Sequence, residues 1–206
     1  VHEVPETICE PPEVAKERLR RRMRQCLLDS GDCCRGEKHQ QACRNLISTP
    51  QFQEAAAIMI YLALPYEVDP SESILAAWRY GKVVAVPRVD RDQRKMLPVQ
   101  IRSLRSGFSC DVIGLKTPVI GVPMPVDHID LVVAPALALD RFGNRLGQGG
   151  SYYDKFFADT SLQATRCGLA FEEQLLETVP VADWDEAVDM VVTNKSIIYC
   201  NHRQRF

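Results

Sequence analysis

Ala57-Ile-Met-Ile-Tyr-Leu-Ala63, then Asp69-Pro-Ser-Glu72, then Gly81 followed by Val83-Val-Ala-Val86, is the stretch that decides the fold. The first and last segments are continuous apolar runs of strand length. Between them, Asp69 as cap, Pro70 at the first helical position and Glu72 reaching back predict a helix start. That helix carries Ile74, Leu75 and Trp78 and stops at Gly81. Two strands without polar alternation, joined through a helix, predict a right-handed parallel crossover unit whose sheet is covered on both faces.

Downstream, Ile129–Pro135 contains a third core strand, followed by a glycine-rich loop and by a helix opening over Tyr152–Phe157. Arg166–Ala170 and Val188–Val192 complete the apolar strand set, while Met96–Ile101 predicts a more exposed strand inside a charged, less regular stretch from 90 to 111. Upstream, Leu19, Met23, Cys26 and Leu27 recur at helical spacing among Arg18, Arg20, Arg21, Arg22 and Arg24, and Gly31 marks the end of that helix. A second helix spans Lys38 to Ile47, ending before Pro50, and residues 1–12, with three prolines, read as a flexible tail. The expected organisation is that tail followed by one α/β domain over residues 13–206, with a helical N-terminal extension.

At 206 residues with 46% hydrophobic and 25% charged side chains, the chain can bury a core without disulfide support. Its net charge of -2 offers no global attraction to nucleic acid or to anionic lipid. No apolar run is long enough to span a bilayer, and Val1–Glu6 lacks the regions of a signal peptide. These features lead to the expectation of a cytoplasmic monomer with neither nucleic-acid nor membrane partners. The eight cysteines contain no Cys-x-x-Cys pair and no histidine at ligand spacing, which favours free thiols over zinc or a disulfide framework. His2, His39, His128 and His202 fit no catalytic constellation and are expected at the surface.

The chemistry concentrates in Asp140-Arg-Phe-Gly-Asn-Arg-Leu-Gly-Gln-Gly-Gly-Ser-Tyr-Tyr-Asp154. Glycines at 143, 147, 149 and 150 sit between a buried strand and a helix start, where inward amides, the helix terminus and Arg145 together favour an anion. The P-loop and dinucleotide patterns do not match, and Ser151 lacks the flanks of a serine-hydrolase elbow. By spacing alone the loop is equally a close-packing turn, and the arginine-rich helix reads first as a solvated face.

Asn144-Arg-Leu-Gly-x-Gly-x-x-Tyr-Tyr-Asp154 resembles the signature of the 5-formyltetrahydrofolate cyclo-ligase (methenyltetrahydrofolate synthetase) family. The likeness extends in order along the chain: Lys16-Glu-Arg-Leu-Arg20, Tyr61-Leu62 with Glu67, Lys82-Val-Val-Ala-Val-Pro-Arg88, Val179-Pro180, Asp185 and Asp189-Met-Val-Val-Thr193. Two positions depart from it. Ser151 stands where glycine is usual, and Met124 replaces a glutamate in Gly121-Val-Pro-Met-Pro125.

The resemblance implies a mainly parallel central sheet flanked by helices, of the NagB/RpiA/CoA-transferase-like kind. It implies closure of 5-formyltetrahydrofolate to 5,10-methenyltetrahydrofolate with ATP and Mg2+, releasing ADP and phosphate. Lys16, Glu17, Arg18, Leu19 and Arg20, with Arg145, Leu146, Gly147, Gln148, Gly149, Gly150, Ser151, Tyr152 and Tyr153, would bind ATP. Leu62, Glu67 and residues 148–152 would contact the folate, and Asp154 and Asp185 would hold the metal. An ATP-dependent paralogue with another small acceptor, or a non-catalytic nucleotide- or RNA-binding module using the basic helix, are the alternative readings.

Overall fold

In the computed structural model of the chain, residues 10–29, 35–90, 93–105, 107–110 and 116–200 are described. Three helices come first, α1 (Pro12–Asp29), α2 (Arg35–Ile47) and α3 (Pro50–Glu54). Next come β1 (Ala57–Ile60), α4 (Ser71–Arg79), β2 (Val83–Asp90), β3 (Lys95–Gln100), β4 (Phe108–Cys110), β5 (Lys116–Pro118) and β6 (Val122–Pro123). The remainder comprises β7 (Leu131–Pro135), β8 (Ala138–Leu139), β9 (Arg145–Leu146), α5 (Tyr152–Phe157), β10 (Thr165–Leu169), β11 (Met190–Val192) and β12 (Ile197–Tyr199).

Among the described residues, eight strands form one sheet in the order β12-β11-β10-β7-β1-β2-β3-β6. The middle five, from β11 to β2, are mutually parallel, and the outer pairings β11–β12, β2–β3 and β3–β6 are antiparallel. The expected parallel β1–α4–β2 unit is present, with Ala57 opposite Val83. Strand period assigns the two faces. Ile58, Ile60, Val84, Val86, Leu131 and Val133 join Met23, Leu27, Ala42, Leu46, Phe52 and Ile74 in one apolar cluster. Met59, Ala85, Val132, Ala134 and Val191 join Phe156 and Phe157 in the other. The N-terminal helices are therefore core layers sharing a face with α4, which is why α1 buries a stripe of Lys16, Met23 and Leu27.

Chain order fixes where a site can form. From β1 the chain steps to β2 on one side, and it later returns to β7 on the other side before proceeding to β10 and β11. The crevice beyond the carboxyl ends of β1 and β7 lies at this reversal, the usual ligand position in open parallel sheets. Asp130 fastens the other end, its Oδ2 accepting the backbone N–H groups of Ala56 and Ala57 at 2.8 and 2.9 Å.

Several local expectations change. The α4 helix begins at Ser71, with Pro70 rather than Asp69 in the cap position and no side-chain cap from Glu72. Asp69 Oδ1 instead accepts from Ser71 N and Oγ, a tight Asx turn that competes with a true cap. Met96–Ile101 is found one residue earlier, paired with β2, which runs on to Asp90. His39 is half-buried rather than at the surface, and its Nδ1 accepts the Asp69 N–H at 2.8 Å. The tail over residues 1–9, Gly31, His2 and His202 lie outside the described residues.

Candidate active site

The crevice at the switch point holds a cavity of about 340 Å³. Its floor is made where β1 and β7 end, by Tyr61 and Leu62 on one side and Pro135, Ala136 and Leu137 on the other. The glycine-rich loop 145–154 and the first turns of α1 form its walls. Lys16, Arg20, Leu62, Glu67, the loop from Arg145 to Asp154, and Asp185 all line it. Glu17, Arg18 and Leu19 lie off its wall. Arg18 pairs with Glu10 in solvent, Glu17 accepts from Arg20, and Leu19 packs against the main core cluster.

The loop is shaped from below by Asp140, a buried carboxylate the sequence pattern did not single out. Its Oδ1 accepts from Phe142 N and Asn144 N, and its Oδ2 accepts from Asn144 Nδ2 and Val179 N. Four donors on one buried carboxylate offset its desolvation and lock the turn that delivers Arg145 into the crevice. Gly149 has φ 107, a conformation natural only to glycine. Gly147 serves close approach instead, since a Cβ there would sit 2.8 Å from Arg145 Nη1. Ser151 occupies the left-handed region at φ 50 and caps α5 without a side-chain hydrogen bond. Met124 packs against the second core cluster and does not line the cavity.

Long-range hydrogen bonds fasten this loop to its partners. Arg20 Nε donates to Gly147 O at 3.1 Å, and Arg24 donates to Gln148 Oε1 and O at 3.3 and 3.2 Å. Gln148 Nε2 in turn donates to Glu67 Oε1 at 3.3 Å. Arg20 is thus committed to the crevice and Arg24 to the outer side of the glycine loop, against the reading of that helix as a free nucleic-acid-binding face.

Two pairs of opposite charge complete the walls. Lys16 Nζ, with 4% of its side chain exposed, sits 2.6 Å from Asp185 Oδ2. Trp184, which spacing arguments overlooked, places its ring 5.7 Å from the same Nζ. Arg145 Nη2 is 3.2 Å from Asp154 Oδ1, and Arg145 Nη1 donates to Pro135 O.

Arg145 Nε and Tyr153 Oη are buried without a hydrogen-bond partner among the described residues. Burial pushes the Tyr153 phenol well above its usual range, against the nearby Arg145, so it stays a neutral donor. Glu67 is also raised, chiefly by burial and in spite of the hydrogen bonds from Leu64 N–H and Gln148.

Among the described residues no three His, Cys, Asp or Glu side chains gather to hold a metal. What the cavity offers is two carboxylates, Asp154 and Asp185, each beside a cation. Hard oxygen donors in that number suit Mg2+, which completes its shell with water and phosphate oxygens, and do not suit zinc.

Fold and site define an α/β enzyme with a cation-lined cleft at its switch point, furnished for an anionic ligand. The sequence profile of the 5-formyltetrahydrofolate cyclo-ligase family matches residues 12–194. The chain belongs to that family. It is 28% identical over 164 residues to the 5-formyltetrahydrofolate cyclo-ligase of Escherichia coli K12, covering 78% of this chain and 90% of that one. A relative in Arabidopsis thaliana, named as the mitochondrial 5-formyltetrahydrofolate cyclo-ligase, is 25% identical and covers 89% of this chain and 75% of its own. In fold, the chain superposes on the Aquifex aeolicus 5,10-methenyltetrahydrofolate synthetase with a TM-score of 0.77 at 23% identity, covering 93% and 99% of the two chains. This protein is accordingly a ligase of folate and one-carbon metabolism, converting 5-formyltetrahydrofolate to 5,10-methenyltetrahydrofolate.

Proposed function

We propose that the crevice performs this ring closure with ATP and Mg2+, ATP lying along α1 and the glycine loop and the folate on the Leu62–Glu67 side. The observation that carries this reading is the chain Arg24–Gln148–Glu67, which ties the basic helix, the glycine loop and a buried carboxylate into one wall. In the reaction the γ-phosphoryl group moves from ATP to the formyl oxygen on N5. The N10 lone pair then attacks the formyl carbon, the C–O bond to phosphate breaks, and the N10 proton is released.

The formyl oxygen is a poor leaving group, so the protein's task is positioning and charge neutralisation. Lys16, Arg20 and Arg145 line the cavity and supply three cations to the phosphate oxygens. Asp154 and Asp185 would hold Mg2+, which screens the phosphates. Glu67 accepts Leu64 N–H on Oε2 and Gln148 Nε2 on Oε1, and the second lone pair of each oxygen keeps acceptor capacity for the N–H edge of the pterin. Tyr152 lines the same cavity and offers a ring face to the pterin.

We take the enzyme to act as a monomer in the cytoplasm. No helix among the described residues is long and apolar enough to cross a membrane. The free thiols of Cys43 and Cys167 fit a reducing compartment. The deciding experiment mixes the protein with 5-formyltetrahydrofolate and MgATP and follows near-ultraviolet absorbance of the methenyl product. An ATP-dependent rise is expected, and its absence from folded protein overturns the reading.

A further inference from the structure

The cavity just described is one of two that meet along the 61–67 loop. A second chamber of about 250 Å³ adjoins it, and Tyr61, Leu62, Leu64, Glu67 and Lys116 line both. Beyond that common wall the second chamber is bounded by Leu104 and Phe108 and by the polar side chains of His39 and Asp69. Because His39 Nδ1 accepts a backbone N–H, the ring proton belongs on Nε2, which makes the imidazole a donor. Lys116, the first residue of β5, is exposed, and its ammonium group makes no hydrogen bond or ion pair among the described residues. It is the ammonium group shared by the two chambers.

Size argues that the first chamber does not hold the reaction alone. At about 340 Å³ it lies near the lower end of what a single drug-sized ligand occupies. The chemistry requires two substrates there together, in line. Part of one must extend outside. A folate whose pterin is held at Glu67, on the common wall, has its aromatic amide and dicarboxylate tail left to place. The second chamber presents an apolar side for a ring and a free cation for an anion.

We propose that the second chamber receives the aminobenzoyl-glutamate tail of the folate, with the ring against Leu104 and Phe108 and a tail carboxylate on Lys116. This rests on the folate reading of the first cavity. It makes Lys116 a substrate-affinity residue separate from the phosphate-facing cations of α1 and the glycine loop.

The test uses the full chain and two probes. With 5-formyltetrahydrofolate, Lys116→Ala raises the folate KM about fivefold and Lys116→Glu about twentyfold, as expected for one exposed charge pair and its reversal. Lys116→Arg stays near wild type, and the KM for ATP moves less than twofold in all three. With p-aminobenzoyl-glutamate alone, calorimetry registers binding to wild type that weakens in Lys116→Glu. An unchanged folate KM in Lys116→Glu overturns the tail site while leaving the activity standing. Absence of turnover by folded wild-type protein removes the activity and the tail site with it.

Discussion

Lys16 and Asp185, separated by 169 positions in the chain, form a buried ion pair with Nζ 2.6 Å from Oδ2 and 2.8 Å from Oδ1. The pair docks the first turns of α1 onto the segment that precedes β11. Asp185 Oδ2 also accepts the Ala182 N–H at 2.7 Å, so the carboxylate is held from both sides. Removing one partner leaves a desolvated charge without its counterion. Lys16→Met is therefore expected to lower the unfolding free energy by about 3 kcal/mol. The double change Lys16→Met with Asp185→Leu should recover much of that stability but no activity. Denaturant midpoints and the methenyl absorbance assay check the two halves, and a double variant that regains turnover would exclude both residues from the chemistry.

Ser151 holds a left-handed backbone that disfavours any side chain. Ser151→Gly should stabilise the protein by about 1 kcal/mol, raising Tm by about 2–4 °C, whereas Ser151→Val should lower it. Calorimetric scans of the three proteins decide this, and a fall in Tm for Ser151→Gly contradicts the strain.

Glu67 carries a pH signature. Since burial raises its carboxyl, the folded chain keeps the proton over an interval in which the unfolded chain has released it. Stability from this group is thus fully present below the ordinary glutamate value, declines as pH rises through the raised one, and is lost above it. Glu67→Gln should abolish that decline, making the variant more stable than wild type at neutral pH and equal to it in acid. Loss of a charge-assisted hydrogen bond should also reduce kcat/KM for the folate by about tenfold or more. Urea titrations across pH, with separate KM values for folate and ATP, test both statements.

Gly147 lies against the Arg145 guanidinium, which is itself wedged between Pro135 O and Asp154. Gly147→Ala should displace that group and raise the KM for ATP about tenfold while leaving the folate KM near its original value. Arg145→Lys should do worse, because an ammonium cannot reproduce the two-sided fork. Nucleotide affinity measured by calorimetry provides the check, and equal ATP binding in wild type and Gly147→Ala counts against the arrangement.

Asp154 Oδ1 faces Arg145, and Oδ2 makes no hydrogen bond among the described residues. Asp154→Asn should shift the Mg2+ titration of activity to at least tenfold higher concentration. An unmoved titration removes Asp154 from the metal site.

Elements whose signal is local were legible in the sequence. The apolar runs at β1, β2 and β7 fall where a sheet covered on both faces demands them, and α5 spans Tyr152–Phe157 as the loop pattern predicts. Short or paired elements were not. The β8–β9 hairpin and the edge strands β6 and β12 are only two or three residues long, too short to carry a period. Asp140 was missed for a related reason: nothing in its neighbours announces that Val179 N–H, far along the chain, will be one of its four donors.

The sequence by itself determined the parallel α/β class, the glycine loop with its tyrosine pair and aspartate, and the family, because these reside in consecutive residues whose spacing is constrained by backbone geometry. Only the tertiary structure decided that Arg20 and Arg24 turn to Gly147 and Gln148, that Gln148 reaches Glu67, that Asp185 meets Lys16, and that Lys116 borders two chambers. Those relationships depend on the order in which β1, β2 and β7 lie in the sheet. That order is set by which faces must be buried together, a property of the whole core rather than of any one segment.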